Sequence, residues 1–134
     1  MSLQARAQAA TTEYQKLQID LQNAVEARQR LDSQLQENDM VKKEFAQLTS
    51  NNTVYKLVGP VLVQQDQSDA KSNVDTRLEF IRGEIKRLES QLNEIGAKSE
   101  KKKSELVEIQ AELQQQSQPR GPALPTSATP SIAA

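Results

Sequence analysis

The chain has 134 residues, 36% hydrophobic and only 3% aromatic, with 17 basic against 18 acidic side chains for a net charge of −1. So few aromatics exclude a thick globular core, and the charge balance gives no general pull toward nucleic acid or anionic membrane. Cysteine and histidine are absent, which removes disulfides, thiolate metal sites, the usual general base and the ordinary pH switch.

From the N-terminus, Leu3, Ala7, Ala10, Tyr14, Leu17, Leu21, Ala24, Leu31 and Leu35 recur at alternating spacings of four and three, with Arg28 in the one polar slot. That a/d periodicity predicts a helix over 2–48, roughly 70 Å long, which must bury a narrow stripe against a partner helix. Asn38 and Lys42 then take core-type positions before Phe45 returns to register, and Met40, Val41 and Leu48 widen the apolar face. A wider face touches something besides the mate, either the chain's own central segment or another body. Thr49–Asn52 is a turn-prone loop.

The centre, Thr53-Val-Tyr-Lys-Leu-Val-Gly-Pro-Val-Leu-Val63 and on to Gln65, is rich in β-branched residues and broken by Gly59-Pro60. It reads as a hairpin over 53–65. Val54, Lys56 and Val58 alternate with Tyr55 and Leu57, and Val61 and Val63 alternate with Leu62, so both faces are apolar. Two strands alone are marginal in water and their open edges solicit further strands. Pairing with other chains is therefore expected; the competing reading folds the hairpin back on its own helices. Pro60 lacks a backbone donor and belongs at the turn or on an edge.

The seam resumes as Val74, Leu78, Ile81, Ile85, Leu88, Leu92, Ile95, Leu106, Ile109 and Leu113, with Ser99 and Lys102 in its polar slots and Gly83 and Gly96 off the stripe. A second helix is predicted over 69–116, capped by Asp66 or Ser68. Residues 117–134 hold four of the five prolines among Ser, Thr and Ala, and are expected to be a disordered tail. Equal helices about a short connector predict a mainly α fold: a long antiparallel two-helix coiled coil (domain 1–116) joined by a central β-hairpin. Leu3, Ala7, Ala10 and Tyr14 would then lie opposite Leu106, Ile109 and Leu113 at a tip with no third layer. Such residues are expected to be only partly covered and able to touch apolar segments of another protein, or else to be an ordinary seam ending.

Nothing in the sequence resembles a P-loop or dinucleotide fingerprint. Carboxylates sit among Lys and Arg on solvated faces, with no pocket to perturb an acid/base pair. No enzyme, cofactor or metal site is expected. Glu100-Lys101-Lys102-Lys103 reads as a solvated face rather than a phosphate site. No apolar run nears the roughly 18 residues of a membrane span, and the first residues lack a signal-peptide core, so the cytoplasm is the expected address, with the nucleus left open.

Three stretches carry a resemblance: Gln34-Leu-Gln-Glu-Asn-Asp-Met-Val-Lys-Lys-Glu-Phe45, Val54-Tyr-Lys-Leu-Val-Gly-Pro-Val-Leu-Val63 and Val74-Asp-Thr-Arg-Leu-Glu-Phe-Ile81. Together, over about residues 5–115, the chain resembles the β-type subunits of prefoldin. The resemblance implies a hetero-hexamer with two α-type and further β-type subunits, whose hairpins form a double β-barrel platform. It implies an ATP-independent co-chaperone that captures unfolded proteins such as actin and tubulin and hands them to the cytosolic chaperonin. On this chain, Val54, Tyr55, Leu57, Val58, Gly59, Pro60, Val61, Leu62 and Val63 would form the assembly surface. Leu3, Ala7, Ala10, Tyr14, Leu106, Ile109 and Leu113 would be the client-facing candidates. The rival readings are a passive coiled-coil tether or scaffold and an RNA-binding arm using Lys101–Lys103. Near-zero net charge disfavours the second.

Overall fold

The computed structural model describes residues 2–117. Four elements follow in order: α1 (Leu3–Gln47), β1 (Val54–Val58), β2 (Val61–Gln65) and α2 (Gln67–Ser117). The fold is mainly α, two long helices joined by a central antiparallel β-hairpin. Residues 118–134 of the expected tail lie outside the described residues. Ser117, placed in that tail by the sequence reading, instead closes α2, its hydroxyl donating to the Gln114 carbonyl at 3.1 Å. That bond occupies one of the carbonyls that the last helical turn leaves without an amide partner.

Local chemistry sets the other helix ends. Ser2 caps α1: its Oγ accepts from the Ala5 amide at 3.1 Å and its carbonyl from Arg6 at 2.9 Å, the bonding of an N-cap serine. Past the end of α1, Asn52 Oδ1 accepts from the Thr49 amide at 2.7 Å and the Thr49 hydroxyl at 3.0 Å. The Asp66 carbonyl takes the first helical bond of α2, from Ala70 at 3.0 Å, so Asp66 holds the N-cap position. The helix starts two residues before the expected Asp69. Gln67 is drawn into it, its Nε2 donating to the Thr49 carbonyl at 3.0 Å.

The chain divides into two units, Asp20–Ile95 and the paired terminal stretches Met1–Ile19 with Gly96–Ala134. In the first, Ala24, Ala70, Val74, Leu78, Ile81 and Leu88 are buried, all but Ala70 at seam positions. Each larger aliphatic removed from water stabilises the pair by roughly 1.5–3 kcal/mol. Arg28 pairs with Glu89 at 2.7 Å and Lys42 with Asp75 at 3.1 Å. Advancing fourteen residues on α1 (28 to 42) thus retreats fourteen on α2 (89 to 75), which makes the helices antiparallel without stagger. Both pairs are exposed and contribute little energy, about 0–1 kcal/mol each.

In the terminal unit Ala10 and Ile109 are buried, as is Ser99, whose Oγ accepts from Gln18 Nε2 at 2.7 Å. Lys102 occupies a core-type slot without being left unpaired. Its stem lies in the seam and its Nζ reaches Glu13 at 2.5 Å and Glu105 at 3.1 Å, the familiar way a lysine covers apolar surface while keeping its charge outside.

Candidate functional site

The hairpin begins with its turn. Val58 and Val61 are paired, leaving Gly59 and Pro60 as a two-residue loop, and Gly59 has φ +59°. A positive φ at the first loop position followed by a proline matches a type II′ turn, whose twist suits paired strands. The register Val54↔Gln65, Tyr55↔Gln64, Lys56↔Val63, Leu57↔Leu62 and Val58↔Val61 sorts the side chains. One face carries Val54, Lys56, Val58, Val61 and Val63; the other carries Tyr55, Leu57 and Leu62.

Neither face is covered within the chain. Leu57 is 68% and Leu62 63% exposed, and Tyr55, Val58, Val61 and Val63 are exposed as well; only the paired Val54 and Gln65 at the base of the two strands are half-buried. Among the described residues the sheet has two strands, so each keeps one edge unpaired by them. A contiguous apolar ribbon of this kind marks an interaction surface. Near it, Phe80 is 66% and Met40 65% exposed, with Val41 also exposed. Of the two readings of the widened α1 face, packing on the chain's own hairpin therefore does not occur at Met40 or Val41.

Phe80 is not among the residues the sequence reading assigns to a site, yet it is among the most exposed large apolar side chains of the described residues. Its signal was present: it is one of four aromatics and stands immediately before the seam residue Ile81. A large aromatic on the polar side of a heptad has no reason to be there for the seam's sake.

The tip candidates fall differently. Leu3, Ala7, Tyr14, Leu106 and Leu113 are half-buried, as a two-helix seam allows. Ala10 and Ile109 are only 2% and 1% exposed, so the expected partial cover does not hold for them. Client contact through these two requires the pair to open. Ile19 and Val107, off the seam, are the large apolar side chains exposed among the described residues of this unit.

The electrostatics are those of surface ion pairs. Hydrogen bonding to Glu89 raises the pKa of Arg28, bonding to Glu84 raises that of Arg87, and bonding to Glu13, then Glu105, raises that of Lys102. Each shift holds a cation more firmly charged and poises none for proton transfer. Among the described residues no group of three acidic side chains is placed to hold a metal ion.

A family model described as prefoldin subunit matches residues 8–117. Prefoldin subunit 6 of Mus musculus is 42% identical over 120 residues, covering 90% of this chain and 94% of the mouse protein. Prefoldin subunit 6 of Homo sapiens is 44% identical over 112 residues, covering 84% and 87%. That of Saccharomyces cerevisiae is 48% identical over 96 residues, covering 72% and 84%. Among solved structures, the prefoldin beta2 subunit from Thermococcus strain KS-1 superposes with a TM-score of 0.59 at 22% identity, covering 68% of this chain and 97% of that one, a likeness of fold. With a family match across most of its length and relatives similar nearly end to end, the chain belongs to the prefoldin subunit family, whose members are non-enzymatic parts of a chaperone co-factor complex.

Proposed function

We propose that this chain is one subunit of a hetero-hexameric, ATP-independent holdase, built with α-type and further β-type partners, that captures unfolded proteins such as actin and tubulin and passes them to the cytosolic chaperonin. The observation that carries the reading is the hairpin, apolar on both faces and exposed on both in the single chain. Val54 to Val63 serve as the assembly surface, and neighbouring hairpins supply the cover that α1 and α2 do not.

Clients are held at the terminal unit, where Leu3, Ala7, Tyr14, Leu106 and Leu113 are half-buried and Ala10 and Ile109 become available as the helices part. Each contact is weak, and several arms on one platform make the sum useful by raising effective concentration. The described residues include no helix long and apolar enough to cross a membrane, which agrees with work in the cytoplasm.

The test is reconstitution. Complexes of related subunits assembled with and without this chain are compared for suppression of aggregation of denatured actin. Suppression that requires this chain supports the holdase. A normal hexamer that suppresses nothing overturns client capture and leaves a scaffold.

A further inference from the structure

The end of α2 lies in the terminal unit, and the sequence runs on from Ser117 through residues 118–134. That continuation bears one charged side chain, Arg120, and two large apolar ones, Leu124 and Ile132. The last turns of α2 are the first part of the molecule within their reach.

Those turns are one-sided in charge. From Ser104 to Ser117, α2 carries Glu105, Glu108 and Glu112 and no Lys or Arg. Spacings of three and four put the three carboxylates on one helix face. Lys102 engages Glu105 at 3.1 Å, while among the described residues no cation makes an ion pair with Glu108 or Glu112. The last turn of α2 holds no basic residue, so the negative end of the helix dipole has no compensating charge there. In the same unit Leu3, Ala7, Leu106 and Leu113 remain half-buried, which leaves apolar surface along the seam for a further layer.

We propose that residues 118–134 fold back along the end of α2 as a strap that competes with unfolded clients for the seam, Arg120 turned toward Glu108 and Glu112 and Leu124 against Leu113. The inference rests on the terminal unit being the end that holds clients, and adds what regulates it. The lengths agree. Pro119 cannot continue the helix and Gly121 accepts the conformations of a tight turn, so the chain is able to reverse within a few residues of Ser117. From Pro122 onward it covers roughly 40 Å at about 3 Å per residue. The helix between Leu106 and Ser117 measures only about 17 Å. Tethering makes weak contacts sufficient: an exposed ion pair and one partly covered leucine hold a free peptide poorly, but a short linker presents them at about millimolar effective concentration. A client that binds only the open form meets an affinity reduced by the open fraction, so a strap closed about four-fifths of the time weakens capture about fivefold.

The experiment assembles the full chain with its related subunits and compares wild type with R120E/L124D, which leaves every contact among the described residues in place. Two readouts are taken: the concentration of complex that halves aggregation of denatured actin, and hydrogen exchange over residues 104–117 in the client-free complex. The variant is expected to halve aggregation at about fivefold lower concentration and to exchange faster by a similar factor. Unchanged or weaker capture by the variant overturns the strap whatever the exchange shows, because a tail that only adds contacts to clients weakens capture when it is disabled. If neither complex suppresses aggregation, the holdase reading fails on its own and exchange decides the strap: faster exchange in the variant supports it, and equal rates overturn it.

Discussion

Leu57 and Leu62 stand directly opposite each other on one face of the hairpin, each about two-thirds exposed in the single chain. Full burial of a leucine is worth roughly 1.5–3 kcal/mol, so covering the exposed part of this pair contributes about 3 kcal/mol, more than a hundredfold in affinity. Aspartate at both positions removes that contribution and adds the cost of burying two unpaired carboxylates. In the free chain the same change touches no buried contact, and surface substitutions of this kind usually stay within about 0.5 kcal/mol. L57D/L62D is therefore expected to keep the helicity of wild type and lose its place in the complex, by circular dichroism and native mass spectrometry respectively. L57T/L62T keeps strand propensity while shedding apolar area, and is expected to weaken assembly less than the aspartates do. A complex of normal size and stoichiometry with L57D/L62D refutes the reasoning, because no other feature of the variant could conceal so large a loss.

A Cβ added at Gly83 meets nothing within 4 Å, so Gly83→Ala is expected to stabilise α2 by about 0.8–1 kcal/mol, checked by thermal melting of the assembled complex. Lys102, whose pKa is raised by bonds to Glu13 and Glu105, contributes stability that is fully present below the ordinary lysine range. That contribution is lost as pH rises through the higher folded value. Alkaline melting curves of wild type are expected to fall away there more steeply than those of Lys102→Met; parallel curves count against the ion pairs. Amides near Ala10 and Ile109 are expected to exchange hydrogen faster than those near Val74, Leu78 and Ile81, which hydrogen-exchange mass spectrometry resolves.

The seam could be read from sequence because helical period is a local property: Val74, Leu78, Ile81 and Leu88 occupy a/d positions and are buried as that spacing requires. The hairpin could be read because Gly59-Pro60 allows few turns and the flanking residues alternate. What escaped depends on the opposite helix. Lys102 looks like a defect along α2 alone and becomes a bridge only when Glu13 is known to lie across from it. Ala10 and Ile109 look like an open seam ending along either helix alone, yet both are buried. Phe80 lies off the stripe, so a search for period passes over it, and its place beside Val54, Tyr55 and Lys56 is visible only once the hairpin is set against α2.

The distribution of buried side chains ties the two proposed activities together. Among the described residues, the unit Asp20–Ile95 buries six apolar side chains, four of them (Ala70, Val74, Leu78 and Ile81) in the first part of α2, just beyond the hairpin. The terminal unit buries two, Ala10 and Ile109, and places the polar Ser99 and Lys102 in core-type slots. Local opening costs least where fewest apolar contacts must be given up. A rigid base is what an assembly surface needs, because a hairpin displaced by helix motion would forfeit its register with neighbouring strands. A seam that opens cheaply is what a holdase needs, because the same side chains that close the helix pair can turn to an unfolded client and close again when it leaves. On the proposed reading one heptad pattern serves both purposes, with its grade of packing, rather than any dedicated pocket, separating them.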